Sequence, residues 1–257
     1  MSDRLEVTAG PVARVMLNRP ELRNAFDDAL IAEATEVFAR LSADPSVRVV
    51  VLGGRGKAFC AGADLGWMAR MVAYSLEENA RDSAALGQLF RVLNDCAKPV
   101  VGRIHGAALG GGTGLTAVCD IAIAAEGTLF GTTEVRLGIV PAVISPYVVR
   151  KIGETNARVW FLTGERYDAR EALRVGLVHR VVPEAELDAA VDATVASLLA
   201  GGPEALAEAK GLAKTMGTIP FDDAGPITVR KISERRVSRE GQEGMAAFLG
   251  KRSPAWK

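Results

Sequence analysis

The stretch KPVVGRIHGAALGGGTGLTAVCDIAIAA, Lys98–Ala125, decides how the chain folds. Pro99 leads into an expected strand, Val100–Ile104, and a glycine-rich turn follows from Gly106 to Gly114. A helix is expected through Leu115–Cys119 and a second strand over Ile121–Ala125. The same order recurs on both sides. Upstream, Val47–Leu52 is apolar apart from Arg48, the kind of run a strand covered on both faces shows. It is followed by the small-residue turn Ala61-Gly62-Ala63-Asp64 and a helical stretch from Leu76 towards Cys96. Downstream, Phe130 and Glu134 lead into Pro141 and a helix beginning near Ser145, a residue type suited to a helix N-cap. Strand–turn–helix repetition of this kind predicts an α/β fold.

Working outward, Leu5–Ala9 and Val12–Leu17 read as a β-hairpin around Gly10-Pro11. Asp27 caps a helix whose apolar residues Leu30, Ile31, Ala34, Val37, Phe38 and Leu41 recur at helical spacing. From about Glu184 the pattern is all-helical: Glu184–Leu199, Pro203–Thr215, Phe221–Val237 and Arg239–Leu249. A helical C-terminal quarter on an α/β core serves packing or assembly.

The 257 residues suit one large domain, or one with a small appendage, and 49% hydrophobic content supports a sizeable core. Basic and acidic residues balance at 31 each, which gives no electrostatic reason to expect nucleic acid or an anionic membrane as partner. Cys60, Cys96 and Cys119 form no CxxC pair, and His105 and His179 are the only histidines, so no metal site is expected. No apolar leader and no apolar run of membrane-spanning length are visible, and the expected location is the cytoplasm.

The turns Cys60–Leu65 and Ala108–Gly114 each carry a β-run into a helix through small residues. Small residues let a ligand approach the backbone, and helix N-termini present unpaired N–H groups. Two such turns facing each other would make a two-donor oxyanion hole, each donor worth roughly 3–4 kcal/mol in the transition state. The alternative for either turn is tight packing of helix on sheet. Dinucleotide binding is disfavoured, since GxGxxG is out of register and no P-loop is present. Cys60 would need a histidine beside it to act as a nucleophile and reads as a packing residue; no GxSxG elbow occurs. Glu134, in the mostly apolar stretch Phe130–Gly138, has two readings: an ion pair with Arg136 or a solvent-facing edge, or a desolvated acid/base.

Taken together and in order, these segments resemble the enoyl-CoA hydratase/isomerase (crotonase) family. The resemblance rests on Asn18-Arg19-Pro20 with Arg23-Asn24-Ala25, Ala58–Leu65, Lys98–Val100 with Gly106–Gly112, Cys119–Ala122, and Glu134–Pro141. It continues through Leu162–Gly164, Ala169–Leu177 and Glu240–Met245 with Phe248, and so covers nearly the whole chain. It implies a crotonase-type ββα spiral core over residues 1–195 and an α-helical oligomerisation region over 196–257, giving trimers or hexamers. It further implies that the N–H groups of Ala63 and Gly111 hold a thioester oxygen while Glu134 acts as acid/base. Arg23, Ala25, Ala61, Asp64, Leu65, Gly110 and Lys251 would line the acyl-CoA path. No cofactor is implied apart from the coenzyme A that the substrate itself carries.

One position departs from the pattern. Family hydratases commonly carry a first catalytic glutamate shortly after the glycine triplet, and here that position is Gly114. A single carboxylate suffices for a Δ3,Δ2-enoyl-CoA isomerase, which moves one proton between carbons. Thr133–Val149 and the tail Gly241–Gly244 with Pro254-Ala255-Trp256 instead resemble the methylglutaconyl-CoA hydratase branch of leucine and acyclic-terpene catabolism. The expected activity is therefore hydration of an α,β-unsaturated acyl-CoA of the 3-methylglutaconyl type, with the isomerase as alternative.

Overall fold

A computed structural model describes residues 4–256. The chain opens with the expected hairpin, β1 (Leu5–Thr8) and β2 (Val12–Leu17), followed by α1 (Asp28–Ala43) and β3 (Val49–Gly54). Next come α2 (Leu65–Met71), α3 (Leu76–Asn94), β4 (Val100–Ile104), β5 (Ala107–Leu109), α4 (Gly111–Val118), β6 (Ile121–Ala125) and β7 (Leu129–Gly131). A 3-10 turn at Glu134–Leu137 precedes α5 (Ser145–Thr163), β8 (Tyr167–Asp168), α6 (Ala169–Arg174) and β9 (Arg180–Val182). The remainder is helical: α7 (Leu187–Leu199), α8 (Pro203–Met216), α9 (Ala224–Val237) and α10 (Arg239–Leu249).

The strands form two sheets. The larger has the order β1-β2-β3-β4-β6-β9, parallel except for the β1–β2 hairpin. The smaller has the order β5-β7-β8. Successive units therefore place one strand in each sheet: β4 then β5, β6 then β7. Strand alternation explains the continuous apolar runs. In β3, Val50 and Leu52 face the main core with α1 and α3, whereas Val49 and Val51 face α7 through Leu187, Val191 and Val195. Asp27 caps α1 as expected, its Oδ1 accepting from Leu30 N–H at 2.7 Å.

Several boundaries differ from the sequence reading. The third strand begins at Val49 and extends through Gly53-Gly54, because its register with β2 continues past the apolar residues that signal it. The glycine turn contains a strand, β5, and helix α4 begins within the glycine triplet. Ser145 is the first residue of α5 and not its cap; Ile144 holds the cap position, and the Ser145 hydroxyl donates to Ala142 C=O. Pro146, which has no N–H to lose, sits at the second helical position.

Helices α9 and α10 and the turn before α9 carry exposed apolar side chains, among them Phe221, Val229, Val237, Phe248 and Leu249. Lys210 on α8 ties this region to the core through a 2.7 Å ion pair with Asp120. The Arg48 guanidinium donates to the carbonyls of Trp256, Leu199 and Gly201. Among the described residues no helix is long and apolar enough to cross a membrane.

Candidate active site

The segment after β3 runs alongside two others. Cys60 pairs with β5, donating to Ala107 C=O and accepting from Leu109 N–H, both at 3.0 Å. Three residues on, Ala63 is clasped by Phe26: Phe26 N–H donates to Gly62 C=O and Asp64 N–H to Phe26 C=O, both at 2.7 Å. In this parallel bridge the partners of Phe26 are the groups on either side of Ala63, so the N–H of Ala63 itself points away from Phe26. Ala63 is exposed, and among the described residues its N–H donates to no backbone group. Ala61 N–H bonds Arg23 C=O at 3.0 Å, which sets Arg23 beside Ala61; Leu65 is 82% exposed, whereas Ala25 is buried.

The second turn supplies the other donor. Gly110 has φ 51° and ψ −116°, a backbone closed to L side chains, and from it Gly111 opens α4 with its N–H unbonded among the described residues. Thr113 anchors this helix start: its hydroxyl lies within hydrogen-bond distance of Ala108 C=O and Gly131 C=O and accepts from Gly131 N–H. Gly110 also joins the three parts of the site. The point where its Cβ would stand lies 3.3 Å from Glu134 Oε1 and 3.9 Å from Gly62 Cα. Glu134 therefore lies against the same turn that offers Gly111 N–H.

The ion-pair reading of Glu134 is overturned. Arg136 is turned away, its guanidinium 3.4 Å from Thr163 C=O and its stem packed against the position of Gly164. Glu134 Oε2 is buried without a hydrogen-bond partner among the described residues. Burial pushes the carboxyl above its ordinary value, while a bond from its own backbone N–H pulls partly back. If Glu134 acts as a base in its ionised form, kcat/KM should rise with pH along an acid limb centred above 4.5. A pH–rate profile whose acid limb sits at or below that value would contradict Glu134 as the titrating base.

Other residues separate from the site. Burial pushes the Cys60 thiol up to about 12, and neither histidine can activate it. His105 lies between Arg103 and Gly56 C=O, and His179 accepts from Ala122 N–H. Cys60 is a packing residue. The Asp64 carboxyl is held by its own fold contacts, capping α2 at Trp67 N–H and meeting Arg19. Lys251 has φ 51° in the C-terminal tail, where its N–H bonds Phe248 C=O. No hydrogen bond links Lys251 to the turns around Ala63 and Gly111 among the described residues.

The family model described as Enoyl-CoA hydratase/isomerase matches residues 8–257. The chain belongs to that family. A crotonyl-CoA hydratase from Syntrophomonas wolfei is 34% identical over 244 residues, 94% of this chain and 92% of the relative. Two solved structures share the fold closely. An enoyl-CoA hydratase from Shewanella pealeana superimposes with TM-score 0.95 at 39% identity, over 98% of this chain and 96% of that one. Pseudomonas aeruginosa AtuE gives TM-score 0.94 at 39% identity, over 98% and 99%. The fold is thus the crotonase fold expected from the ordered motifs.

Within this family the departure at Gly114 has a steric counterpart that the sequence did not show. A Cβ on Gly114 would lie 2.4 Å from Ile144 Cγ2 and 2.9 Å from Phe90 Cε1. Both neighbours are buried, and Phe90 is fixed by aromatic contacts with Phe26 and Tyr147, at 6.5 and 5.9 Å between ring centroids. The volume in front of Gly114 is therefore occupied by apolar side chains. Ile144 and Phe90 carried no sequence signal for this, because they lie 30 and 24 positions from Gly114 on separate helices or helix caps.

Proposed function

We propose that this chain hydrates α,β-unsaturated acyl-CoA thioesters, with a branched 3-methylglutaconyl-type acyl group preferred. The observation that carries the reading is the placement of Glu134 against Gly110, one residue from Gly111 N–H, with one carboxylate oxygen unpaired. In this reading Ala63 and Gly111 N–H hold the thioester oxygen. Water oxygen bonds to Cβ, the π electrons move onto the thioester oxygen as an enolate, and Glu134 accepts the water's proton. The same carboxyl then returns that proton to Cα as the enolate collapses, so one water is added overall. The relatives' hydratase names and the Thr133–Val149 segment support the substrate class. A substrate carboxylate would need a cation. Arg70 is engaged by Asp28 at 2.7 Å and Arg136 faces Thr163, whereas the charge of Arg81 acts on Glu78, one turn back along α3. Exposed apolar side chains on α8–α10 and the turn before α9 would be covered by assembly into trimers or hexamers.

One observation favours a second reading, the Δ3,Δ2-enoyl-CoA isomerase: Ile144 and Phe90 exclude a second carboxylate at Gly114. An isomerase needs one base to take a proton from C2 and return it to C4. Assays of the pure protein with 3-methylglutaconyl-CoA, crotonyl-CoA and a 3-enoyl-CoA separate the two. The hydratase reading predicts turnover of 3-methylglutaconyl-CoA in preference to crotonyl-CoA, and turnover confined to the 3-enoyl substrate would replace it with the isomerase.

A further inference from the structure

Arg19 lies in the Asn18-Arg19-Pro20 motif, ahead of the turn that carries Phe26, and its side chain is only 13% exposed. Its Nη1 donates to Ala25 C=O at 2.7 Å and lies 3.2 Å from Asp27 Oδ2. Its Nη2 donates to Asp64 Oδ2 at 3.2 Å. One planar guanidinium thus grips the two segments whose backbone bonds clasp Ala63: residues 25–27 on one side and Asp64 on the other. Both carboxylates are helix caps. Asp27 receives Leu30 N–H and Asp64 receives Trp67 N–H, so the grip extends to the starts of α1 and α2. The Trp67 N–H bond, aided by the Arg19 charge, holds the Asp64 carboxyl below its ordinary range against the opposing effect of burial.

Arg19 is itself held. Its backbone N–H donates to Asn24 Oδ1 at 2.8 Å, and its C=O accepts from Asn24 N–H at 2.9 Å. Asn24 is fully buried with φ 56°, and its amide donates to Arg55 and Ala58 C=O, the loop that leads into Cys60. The Asp27–Arg19–Asp64 cluster therefore fixes where residues 62–64 lie relative to Phe26. That in turn fixes the direction of the Ala63 N–H. Such a buried ionic cluster is weak evidence for stability, but its geometry specifies one arrangement of the segments it joins. A lysine could not replace it, because a single ammonium cannot reach both rungs with fork geometry.

We propose that Arg19 is a positioning residue for the oxyanion hole, aiming the Ala63 N–H at the thioester oxygen. This rests on the reading of Ala63 and Gly111 as the two donors. The test uses a chromophoric enoyl thioester, 4-dimethylaminocinnamoyl-CoA, whose absorption moves to the red when its carbonyl is polarised. The wild type is expected to shift the probe. Arg19→Ala should lose most of that shift and lower kcat by about 10–100-fold with KM changed only a few-fold, the scale of a donor misplaced by about 1 Å. Free guanidinium should restore part of both. Asp64→Asn, which keeps a cap oxygen for Trp67 N–H but removes the charge facing Arg19, should give a smaller loss of the same kind. Arg174→Ala, which removes an exposed ion pair with Glu171 far along the chain, should change nothing.

A probe shift and kcat unchanged in Arg19→Ala would overturn the inference while leaving the two donors in place. No shift in the wild type would overturn the donor reading, and this inference with it. If Arg19→Ala does not fold, Arg19→Lys and Asp64→Asn carry the same comparison, and full shift with full kcat in both would also refute the role.

Discussion

Replacing Glu134 with glutamine should lower kcat/KM by about 10³-fold, within the range a single general acid/base supplies. Glutamine keeps the shape of the side chain beside Gly110 and cannot accept or return a proton. Binding of coenzyme A thioesters should be preserved, because the proposed donors at Ala63 and Gly111 are backbone groups. The same substitution should not destabilise the protein at neutral pH. Burial raises the Glu134 pKa, so the folded state holds that proton more tightly than the unfolded chain. The contribution of a raised carboxyl to stability is complete below its unfolded value of 4.5 and is lost as pH rises through the higher folded value. At neutral pH the ionised carboxylate, with Oε2 buried and unpaired, is a cost that glutamine removes. Thermal melts should therefore show Glu134→Gln at or above the wild-type Tm at pH 7, with the two converging towards pH 4.5 and below. An unaltered kcat/KM would end the assignment of Glu134 as the acid/base. A large drop in Tm at pH 7 would show that its carboxylate is structural.

Gly114→Glu is the substitution that a motif comparison would suggest for restoring a two-carboxylate hydratase, and it should fail. The new Cβ alone meets Ile144 Cγ2 at 2.4 Å and Phe90 Cε1 at 2.9 Å. Both obstacles are buried side chains fixed by their neighbours, and the helix cannot retreat while Thr113 stitches its first turn to Ala108 and Gly131. Overpacking costs about 1–3 kcal/mol, and an ionised carboxyl among apolar groups adds several more. The expected loss of about 3 kcal/mol or more would lower Tm by about 10 °C in a chain of this size. No gain in crotonyl-CoA hydration should follow. Gly114→Ala separates the packing part from the charge part and should be destabilising by itself. A Gly114→Glu protein as stable as the wild type, with faster crotonyl-CoA hydration, would show that Ile144 yields and that the site is one residue away from the two-carboxylate form.

The two substitutions mark what could be read before the chain folded. Glu134 was visible because an acidic residue in an apolar stretch is conspicuous, yet its spacing alone left an ion pair with Arg136 equally open. Packing removed the ion pair: Arg136 leaves for Thr163, and Gly110, stripped of a side chain, admits the carboxylate. Arg19 was legible only as part of a motif, since its partners Asp27 and Asp64 lie 8 and 45 positions away. Strand β5 and the start of α4 were hidden inside the glycines, which have weak local preference for either state.

By itself the sequence determined what acts over short range: the hairpin, the Asp27 cap, the apolar runs of β3, β4 and β6, the helical tail, and the two small-residue turns in their order. Periodicity and turn chemistry operate within a dozen or so residues and need no tertiary partner to be seen. The tertiary structure alone decided how the turns face each other, that one guanidinium spans both rungs beside Ala63, and that Ile144 and Phe90 fill the space in front of Gly114. Those are statements about excluded volume and direction between distant segments, and such quantities exist only once the chain is packed.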